Sequence, residues 1–185
     1  MSTLKVDTIL KRTGTGTITV GQSGDTISIP SGASLTVAGS SVTAVDNTPY
    51  FIAGKGGSQT SVSDNTYTQV TYVTEVADSG GNYASSTFTA PSAGKYFFSA
   101  NVTITPNSGN AIQTVLQFYK NGSGLDDYRA TLITEGMEIA QQQLVISGLI
   151  SLAASDTVKV YAKMNTDSGN ATFADGQFSG FKIIG

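Results

Sequence analysis

The chain has 185 residues, 39% hydrophobic and 12% charged, with a net charge of -3, 21 Gly, and no Cys, His or Trp. Those absences remove Ser-His and Cys-His nucleophile activation, imidazole and thiolate metal ligands, disulfides and iron–sulfur clusters, so neither an enzyme nor a cofactor is expected. The ten basic residues are scattered over an acidic chain and form no patch for nucleic acid, and the most apolar stretch, 144–154, is far shorter than the ~20 residues of a membrane helix.

Segment 1–12 lacks the continuous apolar run of a secretory signal, so assembly without Sec export is expected. Ser and Thr make up about a quarter of the chain, yet hydrophobic residues recur with period two, which is the strand signature. The best helix-forming stretch, 135–143, is short. The predicted class is all-β.

The first region repeats a short unit: Thr17-Ile18-Thr19-Val20, Thr26-Ile27-Ser28-Ile29 and Ser34-Leu35-Thr36-Val37, separated by Gly, Ser, Asp and Pro. Each unit sets two apolar side chains on one face: Ile18 and Val20, Ile27 and Ile29, Leu35 and Val37. Fully burying these six is worth roughly 9 to 18 kcal/mol, whereas ordering about thirty backbones costs at least ~30 kcal/mol. The segment therefore needs a partner. Either it docks on its own domain, or identical copies wind together so that the six apolar residues meet on a common axis as a stem.

Asp46, Asn47 and Pro49 read as a turn or linker, which places the boundary between a stem or arm at 1–46 and a globular head at 47–185. Predicted strands follow at 68–76, 86–89, 95–105, 112–120, 142–152, 157–164 and 177–184, joined by Gly-, Asn- and Asp-rich turns. Asn121-Gly122 suits a tight turn with positive φ. In 95–105, Tyr96, Phe98, Ala100, Val102 and Ile104 share the inward face, opposite Phe97, Ser99, Asn101 and Thr103. Likewise Val158, Val160, Ala162 and Met164 face inward, with Lys159 and Lys163 outward. This division marks half-buried antiparallel strands, and seven or more of them suggest a sandwich, jelly roll or barrel.

Phe88-Thr89-Ala90-Pro91-Ser92-Ala93-Gly94-Lys95-Tyr96-Phe97-Phe98 resembles the F-x-x-P-x-x-G-x-Y-x-F signature of the complement q-subunit globular head, the jelly roll shared with tumour necrosis factors. Phe118-Tyr119-Lys120-Asn121-Gly122, the Leu152…Asp156, Val158, Val160 segment and Phe178-Ser179-Gly180-Phe181-Lys182-Ile183-Ile184 resemble later pieces of the same pattern, in order. Ser155 stands where that family usually has Gly, and its collagen stalk is absent. The repeat stem and the opening Ser2-Thr3-Leu4-Lys5-Val6-Asp7-Thr8-Ile9 resemble the N-termini of tail-fibre-like and other virion proteins of tailed phages. These resemblances imply a homotrimeric virion protein with a jelly-roll knob, anchored to other virion proteins through Leu4, Val6 and Ile9.

Motifs of chemistry are weak. Gly94-Lys95 fails the P-loop pattern because Thr89 and Tyr96 occupy key positions, and Gly14-Thr15-Gly16 lacks the third glycine of a dinucleotide turn. Glu135 and Glu138, like Asp126 and Asp127, read as solvated loop charge. Asp126, Asp127, Asp167 and Asp175 lack calcium-loop spacing, so no metal is expected. Three N-x-S/T matches, at Asn101, Asn121 and Asn170, are what chance gives in so Ser/Thr-rich a chain.

Outward aromatics are more telling. Phe97 and Tyr161 are candidates for a subunit interface, since contiguous apolar surface marks association. The turns holding Asp78, Asn82, Asn107, Asn110, Asp167 and Asn170 are candidate ligand loops at the distal end, where a rigid sandwich would present them to a host-surface glycan or protein. The expected role is a short tail fibre that attaches to the host. The alternative is a capsid decoration protein, a cement or head fibre on a local three-fold axis, whose working surface is the N-terminal arm. Both place the protein in the virion, without nucleic-acid binding or membrane insertion.

Overall fold

A computed structural model describes residues 47–135, 138 and 140–183, together with Val20, Gln22, 24–26 and Ser28. The chain divides into two units, Met1–Val42 and Thr43–Gly185. Leu4, Val6, Ile9, Ile18, Ile27, Ile29, Leu35 and Val37 lie outside the described residues. Val20 is 59% exposed.

Among the described residues of the second unit there are twelve strands: β1 Tyr50–Gly54, β2 Gln59–Val62, β3 Thr68–Gln69, β4 Thr74–Asp78, β5 Tyr83–Ala84, β6 Thr87–Thr89, β7 Gly94–Pro106, β8 Ala111–Lys120, β9 Ser123–Ile133, β10 Gln142–Leu152, β11 Thr157–Thr166 and β12 Ala171–Lys182. They form two antiparallel sheets. Sheet A runs β10-β7-β12-β1-β4, with β2 also on β12; sheet B runs β5-β6-β11-β8-β9, with β3 also on β11. No described residue is helical.

Alternation builds the core. Tyr96, Phe98, Ala100, Val102 and Ile104 of β7 are fully buried, as are Val158, Val160 and Ala162 of β11, with Met164 nearly so. Aromatics bridge the sheets: Phe51 of β1 stacks on Tyr83 of β5, with ring centroids 4.7 Å apart, and within sheet A it meets Phe178 of β12 edge-on at 4.8 Å. Phe98 reaches Phe118 of β8 at 6.1 Å. Offset and edge-on pairs of this kind add to the stabilisation from area burial alone.

Several boundaries differ from those the sequence suggests. The stretch 68–76 is not one strand: β3 pairs in sheet B and β4 in sheet A, and the chain crosses between sheets over Val70 and Tyr72, both fully buried. Inward alternation continues through that crossing, so period two alone does not reveal it. Asp175-Gly176 is not a turn but a β-bulge within β12, where a Cβ on Gly176 would lie 2.3 Å from the Asn101 carbonyl oxygen. Asp126 and Asp127 belong to β9, an edge strand whose mostly exposed residues blur its alternation. Asn121 and Gly122 do take positive φ, 50° and 84°.

Candidate functional site

The outer face of sheet A carries an in-register row of large apolar side chains across four strands. Leu149 of β10 pairs with Phe97 of β7, Phe97 with Phe181 of β12, and Phe181 with Tyr50 of β1. The Phe97 and Phe181 rings lie 5.5 Å apart. A second row reads Ser147, Ser99, Ser179 and Ile52, and a third Val145, Asn101 and Gln177. None of these residues is charged. Val145 is 60% exposed, Leu149 50% and Tyr50 41%. Tyr50, Ile52, Phe97, Ser179 and Phe181 border a groove of about 190 Å³.

Tyr161 occupies the opposite side of the sandwich. On the outer face of sheet B it stacks on Tyr119, with ring centroids 4.0 Å apart, and Tyr67 lies 6.0 Å from Tyr119. Burial raises the Tyr119 phenol, reinforced by Tyr67, Tyr161 and Asp126. Phe97 and Tyr161 therefore cannot belong to one surface patch. Period two assigns both to outer faces, but it does not say which sheet each strand joins.

The six loop candidates separate in the same way. The turns after β7 and after β11 carry the same Ser-Gly-Asn-Ala sequence, 108–111 and 168–171, and lie against each other. The Asn107 N–H donates to the Asn170 carbonyl at 2.8 Å, and the Asp167 N–H to the Asn110 carbonyl at 3.0 Å. Asn107 Nδ2 donates to Asn170 Oδ1 at 2.6 Å, while the Asn110 N–H and Nδ2 both donate to the Asp167 carboxylate, at 2.8 and 3.1 Å. These bonds hold the Asp167 carboxyl below its usual range, the backbone N–H of Asn110 contributing most. Asn107, Asn110, Asp167 and Asn170 thus form a clasp between two loops, with their polar groups directed at one another.

Asp78 and Asn82 lie at the other end of the sandwich, where the chain enters β1: the Ser79 N–H donates to the Tyr50 carbonyl. Asp78 accepts from the backbone N–H groups of Gly80 and Tyr83, at 3.2 and 2.8 Å. The expectation that all three loops share the distal end is corrected by this register.

Several polar groups elsewhere serve the structure. Asp126 accepts from Gln117 and from Arg129, each at 3.1 Å, and among the described residues no cluster of three or more acidic side chains is placed to hold a metal ion. Lys55, a buried side chain that sequence reasoning passed over, donates to the Gly57 carbonyl at 3.1 Å and to Thr71 Oγ1 at 3.2 Å, and burial lowers its pKa. Burial pushes the Tyr83 phenol up to about 12, while its hydroxyl donates to the Tyr72 carbonyl at 2.9 Å.

No family model matches the chain, and no curated protein matches it. Among solved structures it is similar to the globular domain of zebrafish complement 1qA protein, with a TM-score of 0.51 and 16% identity over 74% of this chain and 98% of that one. At that identity the likeness establishes the fold: an all-β head of the complement 1q type.

Proposed function

We propose that the chain is a non-catalytic structural protein that assembles as a homotrimer through the outer face of sheet A and presents its head at the surface of a tailed-phage virion, as a short tail fibre used in host attachment. The supporting observation is the uncharged row Leu149, Phe97, Phe181 and Tyr50, flanked by Val145 and Ile52, of which Leu149, Tyr50 and Val145 are exposed and Phe97, Phe181 and Ile52 half-buried in the single chain. Burying it removes apolar surface from water at about 25 cal/mol per Å², and a stable interface needs roughly 800 Å² per partner, an area a whole sheet face can supply. The complement 1q-type fold is compatible with this arrangement.

Placement in a virion is supported by the resemblance of the N-terminal arm, with Leu4, Val6 and Ile9 as anchoring positions and 1–46 as the stem that sets the axis. Gold-labelled antibody on purified particles tests it. Label at the tail supports the fibre, label over the head supports the decoration alternative, and unlabelled particles overturn both.

A further inference from the structure

The outer face of sheet B carries a second patch of different chemistry. Lys159, Tyr161 and Lys163 point outward in succession along β11. β8 sets Tyr119 opposite Lys159, and β3 sets Gln69 opposite Tyr161. Across from Tyr119, β9 places Gly124, against which lies the Gln117 amide that donates to Asp126 at 3.1 Å. Lys163 Nζ lies 5.2 Å from the centre of the Tyr67 ring and donates to Asn65 Oδ1 at 2.9 Å. The ion pairs found among the described residues join Lys120 to Asp156 and Arg129 to Asp126, which leaves Lys159 and Lys163 without a carboxylate partner there. Two ammonium groups outside the ion pairs found among the described residues thus bracket an aromatic pair, with the Asp126 carboxylate acting on Tyr119 from β9.

The geometry points to a binding site for an acidic saccharide, a pyranose bearing a carboxylate, against the stacked Tyr119/Tyr161 pair between Lys159 and Lys163. Stacked at 4.0 Å, the two phenols cover each other's inner faces and turn their edges and an outer face to the C–H groups of a sugar ring. Outward lysines four residues apart on a strand stand about 13 Å from one another, a span that places an ammonium within reach of a carboxylate on either side of a stacked ring. The Gln69 amide nitrogen is held by the Ser86 carbonyl at 3.1 Å, which leaves its oxygen to accept from a hydroxyl. A cross-strand aromatic pair also stabilises a sheet by itself, but that role does not call for unpaired cations around it. The site deepens the host-attachment proposal and rests on it for its use, since covering sheet A in an assembly leaves this face open.

Saturation-transfer NMR and calorimetry on the full chain test it, with sialyllactose and tri-galacturonate as acidic probes and lactose as the neutral one. The acidic probes are expected to bind at least about tenfold more tightly than lactose. Lys159→Gln combined with Lys163→Gln is expected to erase that preference, and Tyr161→Ala to abolish binding of all three while the thermal transition stays cooperative. Should Tyr161→Ala fail to fold, the lysine pair carries the test. Absence of binding by both acidic probes overturns the site, as does equal competition by tripolyphosphate, which would reveal charge attraction without sugar recognition. Light scattering on the same samples separates the two proposals: a monomer that binds acidic sugars contradicts the assembly alone, and a trimer that binds none contradicts the site alone.

Discussion

Phe97 and Phe181 face each other across β7 and β12, ring centroids 5.5 Å apart, on the outside of the sandwich rather than in its core. A cross-strand aromatic pair contributes only about 0.2–1 kcal/mol to the sheet itself, so removing it leaves the head folded. Phe97→Glu is therefore expected to lower the melting temperature by no more than a few degrees while converting the assembly to monomer, because it buries a charge in an apolar contact. Light scattering and a thermal melt on one sample check both effects.

Ser155 takes φ 71° in the turn between β10 and β11, where its N–H donates to the Ala90 carbonyl at 2.7 Å. A left-handed non-glycine residue costs of order 1–3 kcal/mol, partly offset by the extra unfolded-state entropy of glycine. Ser155→Gly is expected to stabilise the head by about 0.5–1 kcal/mol, read as a higher urea midpoint with an unchanged slope.

The core was legible in the sequence because β7 and β11 alternate without interruption: Tyr96 through Ile104 and Val158 through Met164 are buried as their spacing implies. Sheet membership was not. Phe97 and Tyr161 follow the same outward rule, yet β7 and β11 belong to different sheets, and no local pattern carries that information. The clasp between the two Ser-Gly-Asn-Ala turns was visible only as two turn-rich loops. The matching of Asn107 with Asn170, and of Asn110 with Asp167, depends on β7 and β11 ending side by side, so the sequence does not show that these candidate ligand residues bond to one another.

Gln142 begins β10 opposite Ile104 with its side chain buried, and neither its amide nitrogen nor its oxygen has a hydrogen-bond partner among the described residues. A buried polar group in that state costs about 1–3 kcal/mol. Gln142→Met keeps the length and drops the polarity, so a gain of about 1–2 kcal/mol in unfolding free energy is expected, measured by urea denaturation.

Asp156 accepts from Lys120 at 2.8 Å, Asn121 at 2.7 Å and the Ala153 N–H at 2.8 Å, and these bonds lower its pKa from 3.8 to about 2. A carboxyl that is more acidic folded than unfolded adds stability above its unfolded pKa and loses it as pH falls through the folded one. Head stability is thus expected to decline between about pH 4 and pH 2, and Asp156→Asn to flatten that part of the profile. Thermal melts of both proteins across the range check the slope.

Assembly through the sheet A face is tested most directly by multi-angle light scattering of the purified chain. The expected mass is three times the 19.1 kDa of one chain, falling to a single chain in Phe97→Glu. A stable 19.1 kDa monomer of the unmodified protein would contradict it.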